Sequence, residues 1–593
     1  MSECRRKPGR HMVVAVLCSC SWILKASSAP AEAPAPAELP VVQYRSPPPA
    51  HAGRYYFDPV DPAFFANITK PVITNYNATH FIEANSSSIN PTKVTPSNGT
   101  FVLNNTVVGD GPAPAPTGSG AGVESSLPDV YDFAMALNYS LLFYEAQRSG
   151  PDWPNNRIDW RSASALDDQN PDGGSLTGGW YDAGDHLILN FPAAFSATVL
   201  AYGLIEFGDA YAAAGQTDYA MSNLRWVADY FVKCHYSDVL FAGQVGDVGT
   251  DHGTWSQAEA LPTYRPSFFI SPSAPGSDLL GETAAALAAI SMVFESTDAN
   301  YAATLEAHAR DVYALGTAFE GKYSNSISQA YVYPSSNFLD DLAFGAAWLF
   351  RKTGEEHFLD DAENYWRRNR NEEGGGGYLA FSWDTAVWGV DMMLTQLTSP
   401  NNQVYQNEVI RFLESWVTGS GGLVYYTPGG LAWASEWGTL RYTFNAAFIA
   451  VVFAQSIESS NLVQSRRYSC WARGQAHYLL GSNPKQYSYM VGYGDAFPRQ
   501  THHRGSSCPN VPTVCNYDNF NLQSDNPHII YGAMVGGPDR NDAYTDSRSN
   551  YQQAEPAVDY NAGLTGVLAY LAGTGDTYAS CRQRGDVVNG PRT

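Results

Sequence analysis

Three stretches of the 593-residue chain carry side chains whose types and spacing could do chemistry. The first, Gly178 to Asn190, reads GGWYDAGDHLILN and sets Asp182 three residues before Asp185 in a Gly-rich turn, with Trp180, Tyr181 and His186 alongside. Two carboxylates this close cannot both be buried cheaply as ions unless a cation, or a water losing its proton, stands between them. An Asx-rich turn capping the next helix uses the same residue types, but the flanking glycines and aromatics favour chemistry. The second stretch, Tyr544 to Ala562, places Glu555 directly before Pro556. A residue before proline is steered out of helical geometry, so Glu555 is expected on a loop at the mouth of the following helix. A general acid there needs burial and the field of the Asp pair to outweigh the helix dipole, whereas a surface Glu at a helix end needs neither. The third stretch, Phe497 to Arg504, reads FPRQTHHR. Neighbours in an extended loop point opposite ways, so His502 and His503 are not expected to share a metal ion. Hydrogen bonding to a ligand or a carboxylate is their expected use, beside a purely structural one.

These loops need a scaffold, and from about Ser126 the chain supplies long Ala-rich amphipathic runs. Helices are predicted over Tyr131–Ser149, Ala193–Gly215, Tyr219–Cys234, Ser277–Glu295, Tyr301–Phe319 and Leu339–Thr353. Six more are predicted over Glu356–Arg367, Trp383–Leu397, Asn407–Val417, Leu440–Ser456, Ser469–Leu480 and Pro556–Ala572. About a dozen helices with almost no strands predict an all-α fold, either a toroid of six helix pairs or a solenoid.

Before the helices, Arg5, Arg6, Lys7 and Arg10 precede the apolar run Met12–Leu24 and the small residues Ala26 to Ala29. That is the pattern of a secretory signal over residues 1–29, with a signal anchor as the alternative. No other long apolar segment stands out. Residues 30–125 combine Pro/Ala-rich stretches with sequons at Asn67, Asn77, Asn85, Asn98 and Asn104, as in a glycosylated stalk; a small binding module is the alternative. The main domain is expected over 126–575 and a tail over 576–593.

A net charge of -23 repels phosphate backbones and anionic lipid, which argues against nucleic-acid and membrane partners. Cys508 and Cys515 are close enough in one loop to pair, Cys470 with Cys581 is a second pairing, and Cys234 is expected to be a buried free thiol. Asp168, Asn170, Asp172 and Gly173 open like a calcium loop, but Gly179 stands where a bidentate Glu is required. Structural calcium held another way remains open.

Taken together, the chain resembles glycoside hydrolase family 9, the cellulases of bacteria, plants, fungi and invertebrates, from about Tyr131 to Ala572. The resemblance is carried by FYEAQRSG (Phe143–Gly150), GGWYDAGDH (Gly178–His186), GQVGD followed by Asp251 and His252, and GSD with GETAAALAA (Gly276–Ala289). It continues through TPGG, WGTLRY (Trp437–Tyr442), GSNP, the HHR loop, and a last segment in which Tyr544, Asp546, Tyr551, Glu555, Ala557, Asn561 and Ala562 fall in place.

The resemblance implies an (α/α)6 barrel and a secreted, monomeric hydrolase that cuts β-1,4-glucan with inversion and needs no cofactor for chemistry. It implies Asp185 as the base that activates water, Asp182 as a holder of that water, Glu555 as the proton donor and Asp546 as its supporting residue. His502 and Arg504 match sugar-contacting positions, Trp437, Arg441 and Tyr442 match cleft positions, and His252 and Tyr560 are further carry-overs. An inverting mechanism requires carboxyl groups about 6.5–9.5 Å apart, with a water between base and sugar. The chain departs from the family where Leu187, Ile188 and Leu189 replace a usual Val-Lys-Phe, at Ala496, and at Thr501. Two other readings share the scaffold: a silent wall-binding glycoprotein, and a hydrolase of another β-glucan.

Overall fold

A computed structural model gives the structure of residues 131–372, 380–398, 403–420 and 422–586. The expected signal and sequon-rich segment lie outside the described residues. Among the described residues there are twelve helices of twelve residues or more: α1 Phe133–Ala146, α2 Asn190–Glu206, α3 Thr217–Cys234, α4 Ser277–Phe294, α5 Ala299–Ala318 and α6 Leu339–Thr353, then α7 Glu356–Glu372, α8 Val387–Thr398, α9 Gln403–Thr418, α10 Thr439–Ile457, α11 Leu462–Leu480 and α12 Val558–Gly573.

Even- and odd-numbered helices differ in how they bury. In α5 the buried side chains Tyr301, Leu305, His308, Val312 and Leu315 recur every three or four residues, the stripe of a helix with one face to solvent. In α2, α4, α10 and α12 nearly every residue is buried, so these helices are wrapped on all sides. The packing order explains this. Helix α2 lies against α4, α4 against α6, α6 against α8, α8 against α10, α10 against α12, and α12 returns to α2, while α1, α3, α5, α7, α9 and α11 pack outside them. The fold is thus mostly helical, with an inner ring that closes on itself. Helices α4 and α10 are also long and apolar enough to span a bilayer, which the sequence reading overlooked; their burial inside the ring accounts for the composition.

Among the helix boundaries that differ from expectation, two have a visible cause. The run Ala193–Gly215 breaks at Phe207, whose backbone leaves helical geometry while its ring packs edge-on against Tyr570 at 5.3 Å. Helix α11 starts at Leu462, not Ser469, because the Asn461 side chain caps it by accepting from Gln464 N. Its first turn exposes the apolar Leu462 and Val463 and buries Ser465, so apolar periodicity does not reveal it.

A small antiparallel sheet sits before α4. Strand β1 (Ile188–Leu189) pairs with β3 (Leu240–Val245), and β2 (His235–Ser237) and β4 (Ser267–Ile270) also pair with β3. Ile188, which replaces the family's usual Lys, is fully buried opposite Val245, so an apolar ladder stands where an ion pair was expected to be lost. A second ribbon joins β5 (Tyr425–Tyr426) to β6 (Ala432–Trp433). Disulfides link Cys508 to Cys515 and Cys470 to Cys581, and Cys234 is a buried free thiol. The second disulfide ties the helical turn Tyr578–Arg584, within the expected tail, to α11.

Candidate active site

Loops that enter the inner helices carry Asp182, Asp185, Glu555 and Trp437, while Arg441 and Tyr442 lie in α10, Tyr560 in α12, and His252, His502, Arg504 and Asp546 on other segments. Residues 182–189 lead into α2, 555–557 into α12, and 437–438 into α10. The first two interlock through their backbones with each other and with residues 502–504: Arg504 N donates to Gly184 O (2.9 Å), His502 N to Ala554 O (3.0 Å) and Val558 N to Asp182 O (2.8 Å). Gly184 is the point of closest approach, because a Cβ there would overlap the carbonyl of His502 and press on Glu555. Gln147 fastens the same loop from α1's end, its Nε2 donating to the carbonyls of Tyr181 (3.0 Å) and Ala183 (2.7 Å).

Glu555 follows the helical turn Tyr551–Ala554 in extended geometry, as its place before Pro556 requires. Its Oε1 accepts from Gly184 N at 3.2 Å, which sets it next to Asp185 although 371 residues separate Glu555 from Gly184. No hydrogen bond joins the two carboxyls among the described residues. Burial and the charge of Asp185 push Glu555 up to about 8. Asp185 goes the other way. Burial alone would raise it, but the hydrogen bond from His252 Nε2 to Oδ2 (3.1 Å) and the nearby Arg504 guanidinium hold it below the usual aspartate value. Asp182 is almost fully buried, and its Oδ2 accepts from Tyr333 OH at 2.6 Å while Oδ1 has no partner. Burial and Asp185 raise it well above the ordinary range, so the Asp pair is split into one ionised and one protonated member.

The His pair divides as the extended loop demands. His503 Nδ1 accepts from Ser506 N (3.0 Å), which leaves Nε2–H to donate to Gln147 Oε1 (2.9 Å). His502 Nδ1 faces Arg548 O at 2.7 Å, so it carries the proton and its Nε2 lone pair faces Glu555 Oε1 at 3.9 Å. Burial lowers His502 to about 4 and His503 to about 3, so both are neutral.

Other expected residues stand further back. Arg504 donates to Asp251 Oδ2 at 2.7 Å and is buried, so it anchors Asp251 and lends its charge to the Asp185 site. Asp546 accepts from Arg499 N (2.7 Å), Gln500 N (3.0 Å) and Tyr487 OH (3.2 Å), and so supports the HHR loop rather than touching Glu555. Arg441 is buried, bound to Asp559 at 2.9 Å and to Tyr442 OH at 2.7 Å, with its guanidinium 5.0 Å over the Tyr560 ring. Trp437 is 46% exposed and pairs with Tyr551 at 5.3 Å, giving a flat apolar face open to solvent. Tyr333 and the partnership of Asp251 with Arg504 were not legible in the sequence: YVYPSS carries no motif, and the ion pair joins positions 253 apart.

The residues from Phe133 to Leu568 match Glycosyl hydrolase family 9. The chain belongs to that family. Endoglucanase A of Bacillus pumilus is 40% identical over 455 residues, which cover 74% of this chain and 66% of that relative. Among solved structures, the endoglucanase of the termite Nasutitermes takasagoensis is 42% identical with a TM-score of 0.69, covering 75% of this chain and 99% of that one. The cellulase Cel9M of C. cellulolyticum in complex with cellobiose is 34% identical with a TM-score of 0.68, at 75% and 99% coverage. The chain is accordingly an enzyme of the endo-1,4-β-glucanase type.

The donors for a structural cation are a poor fit at both places that invite one. Asp185, Asp251 and His252 bring ligand atoms within 4.8 Å of one another, yet Asp251 is already bound to Arg504 and to His186 N, and His252 to Asp185. In the loop that opens like a calcium site both oxygens of Asp168 accept from Arg265 (2.9 and 3.1 Å), and Asn170 Oδ1 accepts from Asp172 N and Gly174 N. That loop closes on itself.

Proposed function

We propose that the chain is a secreted endo-β-1,4-glucanase that hydrolyses internal bonds of cellulose or a related β-glucan, with inversion, on an (α/α)6 toroid of six helical hairpins. One observation carries the reading: Glu555, bonded to Gly184 N beside Asp185, is pushed up to about 8 while Asp185 is pulled down. At neutral pH one carboxyl then holds a proton and the other lacks one, the division of labour that general acid and base require.

In the proposed step Asp185 takes a proton from water as the water oxygen bonds to the anomeric carbon. The bond from that carbon to the glycosidic oxygen breaks as Glu555 delivers its proton to the leaving oxygen. Attack and departure occur on opposite faces, so the product anomer is inverted. Asp182, neutral and fixed by Tyr333, directs its unpartnered Oδ1 to the water. Neutral His502, its Nε2 3.9 Å from Oε1, adds no positive charge that would draw the proton off Glu555. Trp437 and Tyr551 supply a stacking surface for flat, equatorially linked glucose units.

The substrate class is supported by the cellobiose named with a similar structure and by the lack of any need for a basic groove at a net charge of -23. The n-region, apolar run and small residues at 5–29, followed by five sequons, support export and glycosylation. The protein acts as a monomer, without nucleic-acid or membrane partners and without a cofactor for chemistry. Proton NMR of fresh products from a soluble cellulose derivative tests the core of this reading. The α-anomer should appear first; β-anomer first overturns inversion, and binding without turnover overturns catalysis.

A further inference from the structure

Behind the acid and base lies a small core separate from the main one, formed by Trp255, Cys508 and Cys515 with Phe520 packed on it. The segment from Cys508 to Asn526 wraps this core and is tied to it at several points. Trp255 Nε1 donates to Ser507 Oγ (2.9 Å), and Gln257 Nε2 donates to the carbonyls of Pro509 (2.7 Å) and Thr513 (2.6 Å). The buried Arg548 guanidinium gathers the carbonyls of Asn519, Phe520, Leu522 and Ser524 at 2.7–3.2 Å and also binds Asn526 Oδ1.

From this core two contacts lead to the reacting groups. Tyr517 OH donates to His252 O at 2.6 Å, and the His252 ring bonds Asp185. Arg548 O holds His502 Nδ1, and the other nitrogen of that ring faces Glu555. The His502 ring also lies 5.2 Å from Trp255 and 6.0 Å from Phe520. We propose that the 508–526 segment is a positioning element for the reaction: stapled by Cys508–Cys515, it holds His252 on Asp185 through Tyr517 and His502 toward Glu555 through Arg548. The inference rests on the acid and base assignment above.

The physical need is plain for His252. Its side chain is 48% exposed and ends a helical turn of five residues, Val248–His252, so the turn alone leaves it several rotamers. Fixing its carbonyl holds the backbone from which the ring reaches Asp185. Asp185 is faced by Asp182 on its own loop, by Asp251 and His252, by Arg504, and by Glu555, so the His252 ring and the Arg504 guanidinium, with the Leu187 N–H donating to Oδ1 at 3.4 Å, offset three acidic groups. A looser His252 therefore leaves the acidic neighbours with more weight.

The test is Tyr517→Phe, which keeps the ring and removes the hydrogen bond, with kcat and KM followed on a soluble cellulose derivative from pH 4 to 9 and Tm measured in parallel. The acid limb of kcat should move up by about one pH unit, with kcat about two- to fivefold lower at pH 4 and nearly unchanged above pH 6, and KM within about twofold. The double variant Cys508→Ser, Cys515→Ser should shift the limb the same way and lower Tm. A wild-type limb in Tyr517→Phe, or an equal loss at every pH with a fall in Tm, overturns the proposal. Asp185→Asn assayed alongside separates the two readings. If it is inactive while Tyr517→Phe has a wild-type profile, only the positioning role fails; if it stays active, the base assignment fails first.

Discussion

The loops at the ring's mouth and the seam between α4 and α6 both bury clustered carboxyls, and they treat them differently. At the mouth, Asp185 keeps its charge because His252 and Arg504 stand beside it, and Glu555 is raised only to about 8. At the seam, Glu282 of α4 lies among Asp340 and Asp341 of α6 with no cationic side chain against them among the described residues. Burial, then the charge of Asp340, pushes Glu282 and Asp341 well above the usual range, and burial raises Asp340 itself to about 7. Neither Glu282 oxygen meets an N–H or hydroxyl donor; its partner is the Asp341 carboxyl, with which it shares a proton. The two helices meet there backbone to backbone: a Cβ at Gly281 would lie 2.6 Å from Asp341 O, and one at Gly345 2.7 Å from Gly281 O. The contrast teaches that burial alone does not make a carboxyl catalytic. A cation within reach, set on a loop open to solvent, decides whether the group ionises and whether its proton can travel.

The strongest way to break this contrast is at the mouth. Glu555→Gln and Asp185→Asn should each lower kcat by about 10³-fold or more, with folding intact by circular dichroism. Wild-type-like release of reducing ends from either variant would remove the distinction between the two clusters. Gly184→Ala comes next: its methyl displaces the His502 carbonyl and Glu555, so kcat should fall about 10²-fold, read in the same assay.

Wild-type pH dependence sharpens the comparison further. Because Glu555 must be protonated, kcat should decline above about 8, and because Asp185 must be ionised, it should persist below the ordinary aspartate value. A basic limb centred near 5 would contradict the raised carboxyl. The smallest effect is expected at the seam. Glu282 and Asp341 have raised folded-state pKa values, so their contribution is fully present below the unfolded value of about 4 and is lost as pH rises through the folded value. Glu282→Gln cannot titrate and keeps a donor for Asp341. It should leave kcat unchanged and make the alkaline fall in Tm shallower, by about 2–4 °C at pH 9.

Much of this was readable along the chain because it depends on near neighbours. Ala-rich periodicity located the helices, Pro556 placed Glu555 in extended geometry, and the adjacency of His502 and His503 was enough to send their rings apart. The misses are contacts between distant segments or effects of a neighbour's shape. Phe207 breaks a helix because Tyr570 receives its ring, and Tyr333 reaches Asp182 across 151 positions. Arg548 reads as one charge in a polar stretch, yet it holds a loop more than twenty residues earlier.

The sequence by itself determined the inventory: which residues can carry protons, where the helices run, and which family motif orders them. Only the tertiary structure decided the protonation states. A carboxyl's affinity for its proton is set by the water it loses and the charges it meets. For Asp185 those charges are His252 and Arg504, 67 and 319 positions away; for Glu282 they are the acids of the next inner helix.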